Sequence, residues 1–115
     1  MIYFRIMYIS ITGLKPKSIW GTLKFWNLAI PSFRQAQTAN GNLHCTVKRI
    51  KGYQCTLTAW KNREVMLDFM RNGVHLKAMK AFSSIATGKT YGYEATELPN
   101  WDEAFTLLQE KGKQY

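Results

Sequence analysis

One histidine stands on an apolar helical stripe. In "NGVHLKAMKAF", His75, Met79 and Phe82 recur at i, i+4 and i+7, the spacing that aligns side chains along one face of a helix. Near a helix N-terminus the backbone dipole favours neutral imidazole, the form that a general base or an iron ligand requires. The competing reading is a packed interior or interface histidine, because no second titratable group clearly joins it. The other histidine, His44, adjoins Cys45, and Cys55 falls on the next predicted strand. Zinc takes three or four converging ligands and no fourth is apparent, so no metal site is expected. Gly-rich phosphate loops, nucleophile elbows and metalloprotease signatures are absent.

Aromatic residues make up 14% of the chain, enough to line a core and leave some for a pocket. Trp26, Trp60 and Tyr91 are the aromatic candidates to line an apolar site, with core packing as the alternative for each. Lys48, Arg49 and Lys51, around a predicted hairpin turn, suit the steering of an acidic ligand or the holding of a carboxylate. Their plainer role is to protect an edge strand.

The elements that must position these residues follow from periodicity and punctuation. Tyr3 to Thr12 is apolar on both alternating faces, as a central covered strand needs, and Gly13 and Pro16 are expected to end it. A helix follows from about Ser18, with Trp20, Leu23 and Ile30 and the nearby Trp26 as its apolar stripe; Pro31 must kink it or open a second one. Leu43 to Ile50 and Tyr53 to Trp60 read as a hairpin turning at Lys51-Gly52. Asn62 caps a helix carrying Val65, Met66 and Phe69, Asn72-Gly73 ends it, and the His75 helix runs on to Gly88. A strand from Thr90 to Ala95 puts Tyr91, Tyr93 and Ala95 on one face. Asn100, with Glu103 three residues on, then opens a last helix bearing Trp101, Phe105 and Leu108 and stopped by Gly112.

This order predicts an α+β chain of ferredoxin-like βαββαβ form with an added C-terminal helix, in a single domain over residues 1–115. The sheet face away from the helices would need cover, which a second copy of the sheet could supply. The positive charge is concentrated in the first half: residues 1–63 hold ten Lys/Arg and no Asp or Glu, against six and seven in residues 64–115. Such a field suits an anionic partner, whether a small molecule, an acidic membrane surface or nucleic acid. The RNA-binding sheet signature is absent, "KGYQCTL" being only a faint echo, so nucleic acid is not expected. "MIYFRIMYISI" is too short for a membrane span and lacks a basic leader. Together with two sparse cysteines expected as free thiols, this points to a cytoplasmic protein.

The stretch "TLTAWKNREVMLDFMRNGVHLKAMKA", with "LKPKSIWGTLKFW" before it, resembles the dimeric α+β barrel superfamily that contains the antibiotic biosynthesis monooxygenases. Its local likeness is to the spheroidene monooxygenase type. The resemblance implies a homodimer, each subunit keeping a pocket between its sheet and helices, and oxygenase chemistry with haem or with no cofactor. Aligning Trp60 on the tryptophan of the haem-degrading branch puts Met79 where that branch has its ligating histidine. The first strand then offers Ser10 and Thr12 in place of an asparagine, which speaks against that branch; His75 matches the spheroidene-type histidine. The expected function is a monooxygenase-like protein binding an apolar conjugated molecule. His75 would be the catalytic group or haem ligand, with Trp26, Trp60, Phe69, Met79 and Tyr91 around the substrate. A non-catalytic dimeric binding module and a nucleic-acid-binding protein are the alternatives.

Overall fold

The computed structural model describes residues 6–114; the side chains of Ile19, Val74, His75, Phe82, Ser83 and Ser84 lie outside the described set, as do Tyr3 to Arg5 of the expected first strand. The elements run β1 (Met7–Pro16), α1 (Ile19–Thr38), β2 (Asn42–Ile50), β3 (Tyr53–Trp60), α2 (Arg63–Met70), α3 (Gly73–Ile85), β4 (Ala86–Ala95), α4 (Trp101–Lys111) and β5 (Lys113–Gln114). The five strands form one sheet in the order β2-β3-β1-β4-β5, every pair antiparallel. The expected α+β, ferredoxin-like order with an added C-terminal helix is therefore the observed one.

Local chemistry explains most boundaries. The side-chain oxygens of Ser18, Asn62 and Asn100 accept from the backbone N–H of Gly21, Val65 and Glu103 at 3.0, 2.9 and 2.8 Å. Each satisfies one of the donors a helix start leaves open. Lys51 and Gly52 both have positive φ, 49° and 83°, which makes the β2–β3 connection the two-residue turn whose twist suits a hairpin.

Four boundary or facing expectations are corrected. Gly13 does not end β1; it lies inside the strand, buried, where a Cβ would stand 2.8 Å from Leu108 Cδ2. Its missing side chain is what lets α4 approach the sheet. Gly88 does not end a helix; α3 stops at Ile85 and β4 begins at Ala86, with Gly88 paired to Leu14. Of the two outcomes expected at Pro31, a second helix is the one not formed: α1 is continuous across it. Pro31 and Asn27 are both exposed, so the carbonyl that loses its donor can turn to water.

The fourth correction concerns the face of α1. Trp20, Leu23, Trp26 and Ile30, expected as its core stripe, are 78%, 58%, 41% and 48% exposed. The buried row is Gly21, Phe25, Ser32 and Ala36, with Leu28 and Ala29 packed beside it. Small residues win because the helix lies tight against its neighbours: a Cβ on Gly21 would stand 3.0 Å from the Ile85 carbonyl oxygen. Indoles do not fit there.

The sheet separates two cores. On one face Ile9, Ile11, Leu57 and Ala59 pack against Ala104 and Leu108 of α4. On the other, Leu14, Phe25, Ala78, Ile85 and Ala86 join the sheet to α1 and α3. The face for which a second copy was invoked is thus covered at its centre by the chain's own α4.

Candidate functional site

Strict alternation along β1 and β3 builds a polar floor beneath α1–α3. Ile9 and Ile11 point to α4, so Ser10 and Thr12 point the other way; Leu57 and Ala59 likewise leave Thr56 and Thr58 on the far face. The antiparallel register puts Ser10 opposite Thr58, Thr12 opposite Thr56 and Leu14 opposite Gln54. Directly paired residues share a face, so four hydroxyls form a compact patch. All of these residues line a cavity of about 650 Å³ between the sheet and the helices.

The roof is apolar. Phe25, Trp26, Ala29, Ile30 and Phe33 descend from α1, Met66, Phe69 and Met70 from α2, and Met79 from α3. Trp60 closes one end, 1% exposed, with its ring 4.9 Å from that of Phe69 and nearly parallel to it. Trp60 Nε1 donates to Thr58 Oγ1 at 2.8 Å, and Thr58 Oγ1 donates in turn to the Ser10 carbonyl oxygen at 3.4 Å. The indole is therefore anchored, and the Thr58 hydroxyl is oriented by two partners.

Arg34, Lys48 and Arg49 stand at the rim, together with Gln37 and Val47. Arg49 is paired with Gln54 and so shares the cavity face, whereas Lys48 is paired with Cys55. Among the described lining residues there is no Asp, Glu or His. An acidic ligand would meet cations at the mouth and hydroxyls at the floor, with no carboxylate to repel it.

Of the residues singled out from sequence, Trp26, Trp60, Phe69 and Met79 all line this cavity. Tyr91 is corrected: it lies on the opposite face of the sheet, packed with Tyr93 against the α4 core. The reason is again alternation, since Tyr91 is paired with Ile11 and must share its face. His75 falls within α3, one helical turn before Met79, and its side chain lies outside the described residues. Thr56, Thr58 and Arg34 were not singled out, and Ser10 and Thr12 only as standing in place of an asparagine; the pattern Ile-Ser-Ile-Thr in β1 and Thr-Leu-Thr-Ala in β3 was a legible signal for the hydroxyls.

The cysteines do not pair. Cys45 is opposite Thr58 and Cys55 opposite Lys48, and both are free, as expected. Burial pushes each thiol up to about 11. Among the described residues no group of three or more His, Cys, Asp and Glu is placed to hold a metal ion.

A haem in this cavity would need an axial ligand. The iron-binding atoms in the described lining are the thioethers of Met66, Met70 and Met79; the Cys55 thiol lies on the α4 face beside Gly13. No imidazole or thiolate stands among the described lining residues; the side chain of His75, the expected iron ligand, lies outside them.

No family model and no curated protein sequence matches the chain. Solved structures do. A candidate antibiotic biosynthesis monooxygenase of Deinococcus radiodurans superimposes with a TM-score of 0.68 at 20% identity, over 81% of this chain and 96% of that one. SnoaB, a cofactor-independent oxygenase of Streptomyces nogalater, gives a TM-score of 0.66 at 11% identity over 82% and 98% of the two chains. A candidate antibiotic biosynthesis monooxygenase of Nitrosomonas europaea gives 0.65 at 15% identity over 82% and 93%. The chain shares the fold of these antibiotic biosynthesis monooxygenase-like structures. These likenesses do not carry the narrower one to spheroidene monooxygenase.

Proposed function

We propose, with the superfamily fold as premise, that the chain takes an apolar, conjugated, acidic small molecule into the cavity and oxygenates it, the substrate acting as its own reductant. The observation that carries this reading is the division of the cavity into hydroxyl floor, aromatic and thioether roof and cationic rim. Arg34 and Arg49 at the rim favour the ionised form of a phenol or enol. Such an anion is electron-rich enough to reduce oxygen directly. The Phe25, Phe33 and Phe69 rings hold the conjugated system away from water, and the Ser10, Thr12 and Thr56 hydroxyls hydrogen-bond its oxygens and fix its orientation.

In balance, a substrate methylene becomes a carbonyl, one atom of O₂ enters the product and the other leaves as water. The four electrons come from the substrate carbon. His75, one turn before Met79 on α3, is the proposed proton acceptor. The homodimer belongs to the same proposal through the superfamily fold. No step is routed through haem.

An anthrone, a tricyclic aromatic ketone with an acidic methylene, is the probe. Oxygen uptake matched to carbonyl formation, undiminished by chelators and lost in a folded His75→Ala variant, is the expected result. Unchanged turnover in that variant removes His75 from the mechanism. A second reading, a non-catalytic ligand-binding module, is favoured by the absence of any carboxylate or imidazole among the described lining residues. Saturable binding with no product after long incubation in air would establish it.

A further inference from the structure

The α1 flank that carries Trp20, Leu23 and Ile30 is apolar, exposed and continuous with the cavity mouth. Trp20 is 78% exposed, an extreme value for a side chain of that size. Leu23 follows one turn later and Ile30 two turns beyond it on the same side of the helix, beside Trp26. Trp26 and Ile30 also line the cavity, as do the exposed Val47 of β2 and Met79 of α3. The buried row of α1, led by Phe25, locks the helix to the body, so its outer flank is presented in a fixed orientation.

On α1 and β2 the charge around this row is of one sign. Lys24 and Arg34 flank the row on α1, Arg49 stands across the mouth on β2, and residues 1–63 contain no Asp or Glu. We propose that this face docks on an anionic lipid bilayer, with α1 lying in the headgroup layer, Trp20, Leu23 and Ile30 in the acyl boundary and the cavity mouth opening onto the membrane. Bulky apolar side chains on one face, an indole among them, with cations alongside, are what an interfacial helix needs. A second copy is the poorer occupant. A two-fold interface would set Lys24, Arg34 and Arg49 against their own copies with no first-half carboxylate to neutralise them. Aliphatic Leu23 and Ile30 likewise offer nothing to a phosphate backbone.

The test uses the whole chain and no substrate, so its outcome is independent of the oxygenase reading. The protein is sedimented with vesicles of equal parts phosphatidylglycerol and phosphatidylcholine, and with vesicles of phosphatidylcholine alone. Expected are binding to the first that weakens with salt, and a blue shift of tryptophan emission. The double variant Trp20→Ser/Leu23→Ser should lose binding, and Lys24→Gln should weaken it about fivefold. All three positions are exposed, and thermal melts check that the variants remain folded. The proposal is overturned by no association with either vesicle, or by binding that the double variant retains in full, which would mark general adsorption of a basic protein. A dimer in solution that the double variant splits into monomers would also overturn it, since a second copy would then cover the face.

Discussion

The two faces of the sheet use the same strands for opposite ends. Toward α4, Ile9, Ile11, Leu57 and Ala59 meet Ala104 and Leu108, and all six are at most 3% exposed. Toward α1–α3, the alternating partners of those residues are Ser10, Thr12, Thr56 and Thr58, and the helices stand off far enough to enclose about 650 Å³. One face is filled by buried side chains; the other is held open over hydroxyls. Gly13 shows the difference at one residue: its missing Cβ lets Leu108 come into contact, whereas nothing comparable lets the roof drop onto the floor. The α4 face is thus filled at its centre, while the other face packs its core of Leu14, Phe25, Ala78, Ile85 and Ala86 beside an open cavity.

Substitutions on each face put that division to the test. Leu108→Ala should lower unfolding free energy by about 2–5 kcal/mol, the range for a buried leucine truncation, while leaving ligand affinity of the folded fraction nearly unchanged. Denaturant titration and binding isotherms on the same samples check both halves, and a large affinity loss would break the comparison.

On the cavity face, Thr58→Val strips Trp60 Nε1 of its acceptor. The expected cost is about 1–3 kcal/mol for a buried donor left unsatisfied, accompanied by weaker binding, because the indole that closes the cavity is no longer anchored. Thr12→Val removes only a floor hydroxyl and should shift stability by less than about 1 kcal/mol. Its signature is a change in ligand affinity or turnover. An inert Thr12→Val in both assays would mean that the floor is not what recognises the ligand.

The smallest effect concerns the thiols. Because burial raises Cys45 and Cys55 from 9.0 to about 11, the folded chain keeps these protons where the unfolded chain has lost them. The stability they contribute is present below about pH 9 and falls as pH rises through about 11. Alkylation by iodoacetamide should accordingly be slow at pH 8 and accelerate only as the folded-state value is approached. Rapid labelling of both at pH 8 would show that the strands open more readily than this packing implies.

Some of this was legible from the residues alone and some was not. The caps at Asn62 and Asn100, the Lys51-Gly52 turn and the strand-helix order could be read because each depends on a few neighbouring residues. The α1 face was misread because that helix carries two candidate stripes. The eye goes to Trp20, Leu23 and Ile30, while the buried row is the modest Gly21, Phe25, Ser32 and Ala36. Hydrophobicity cannot rank the two; the closeness of Ile85 does. The candidate site is half legible: Trp26, Trp60, Phe69 and Met79 line the cavity and Tyr91 does not, while Ser10 and Thr12, read only as standing in place of an asparagine, form its floor with Thr56 and Thr58.

By itself, the amino-acid order determined where the chain bends, which segments are helices and strands, and that one half is uniformly basic, because caps, turn residues and formal charge act over a few positions. Only the tertiary structure decided which side of each strand faces a void and which faces α4. That depends on register between β1, β3 and β4 and on how closely a helix can approach. Both are set by distant residues meeting in space rather than by any local preference.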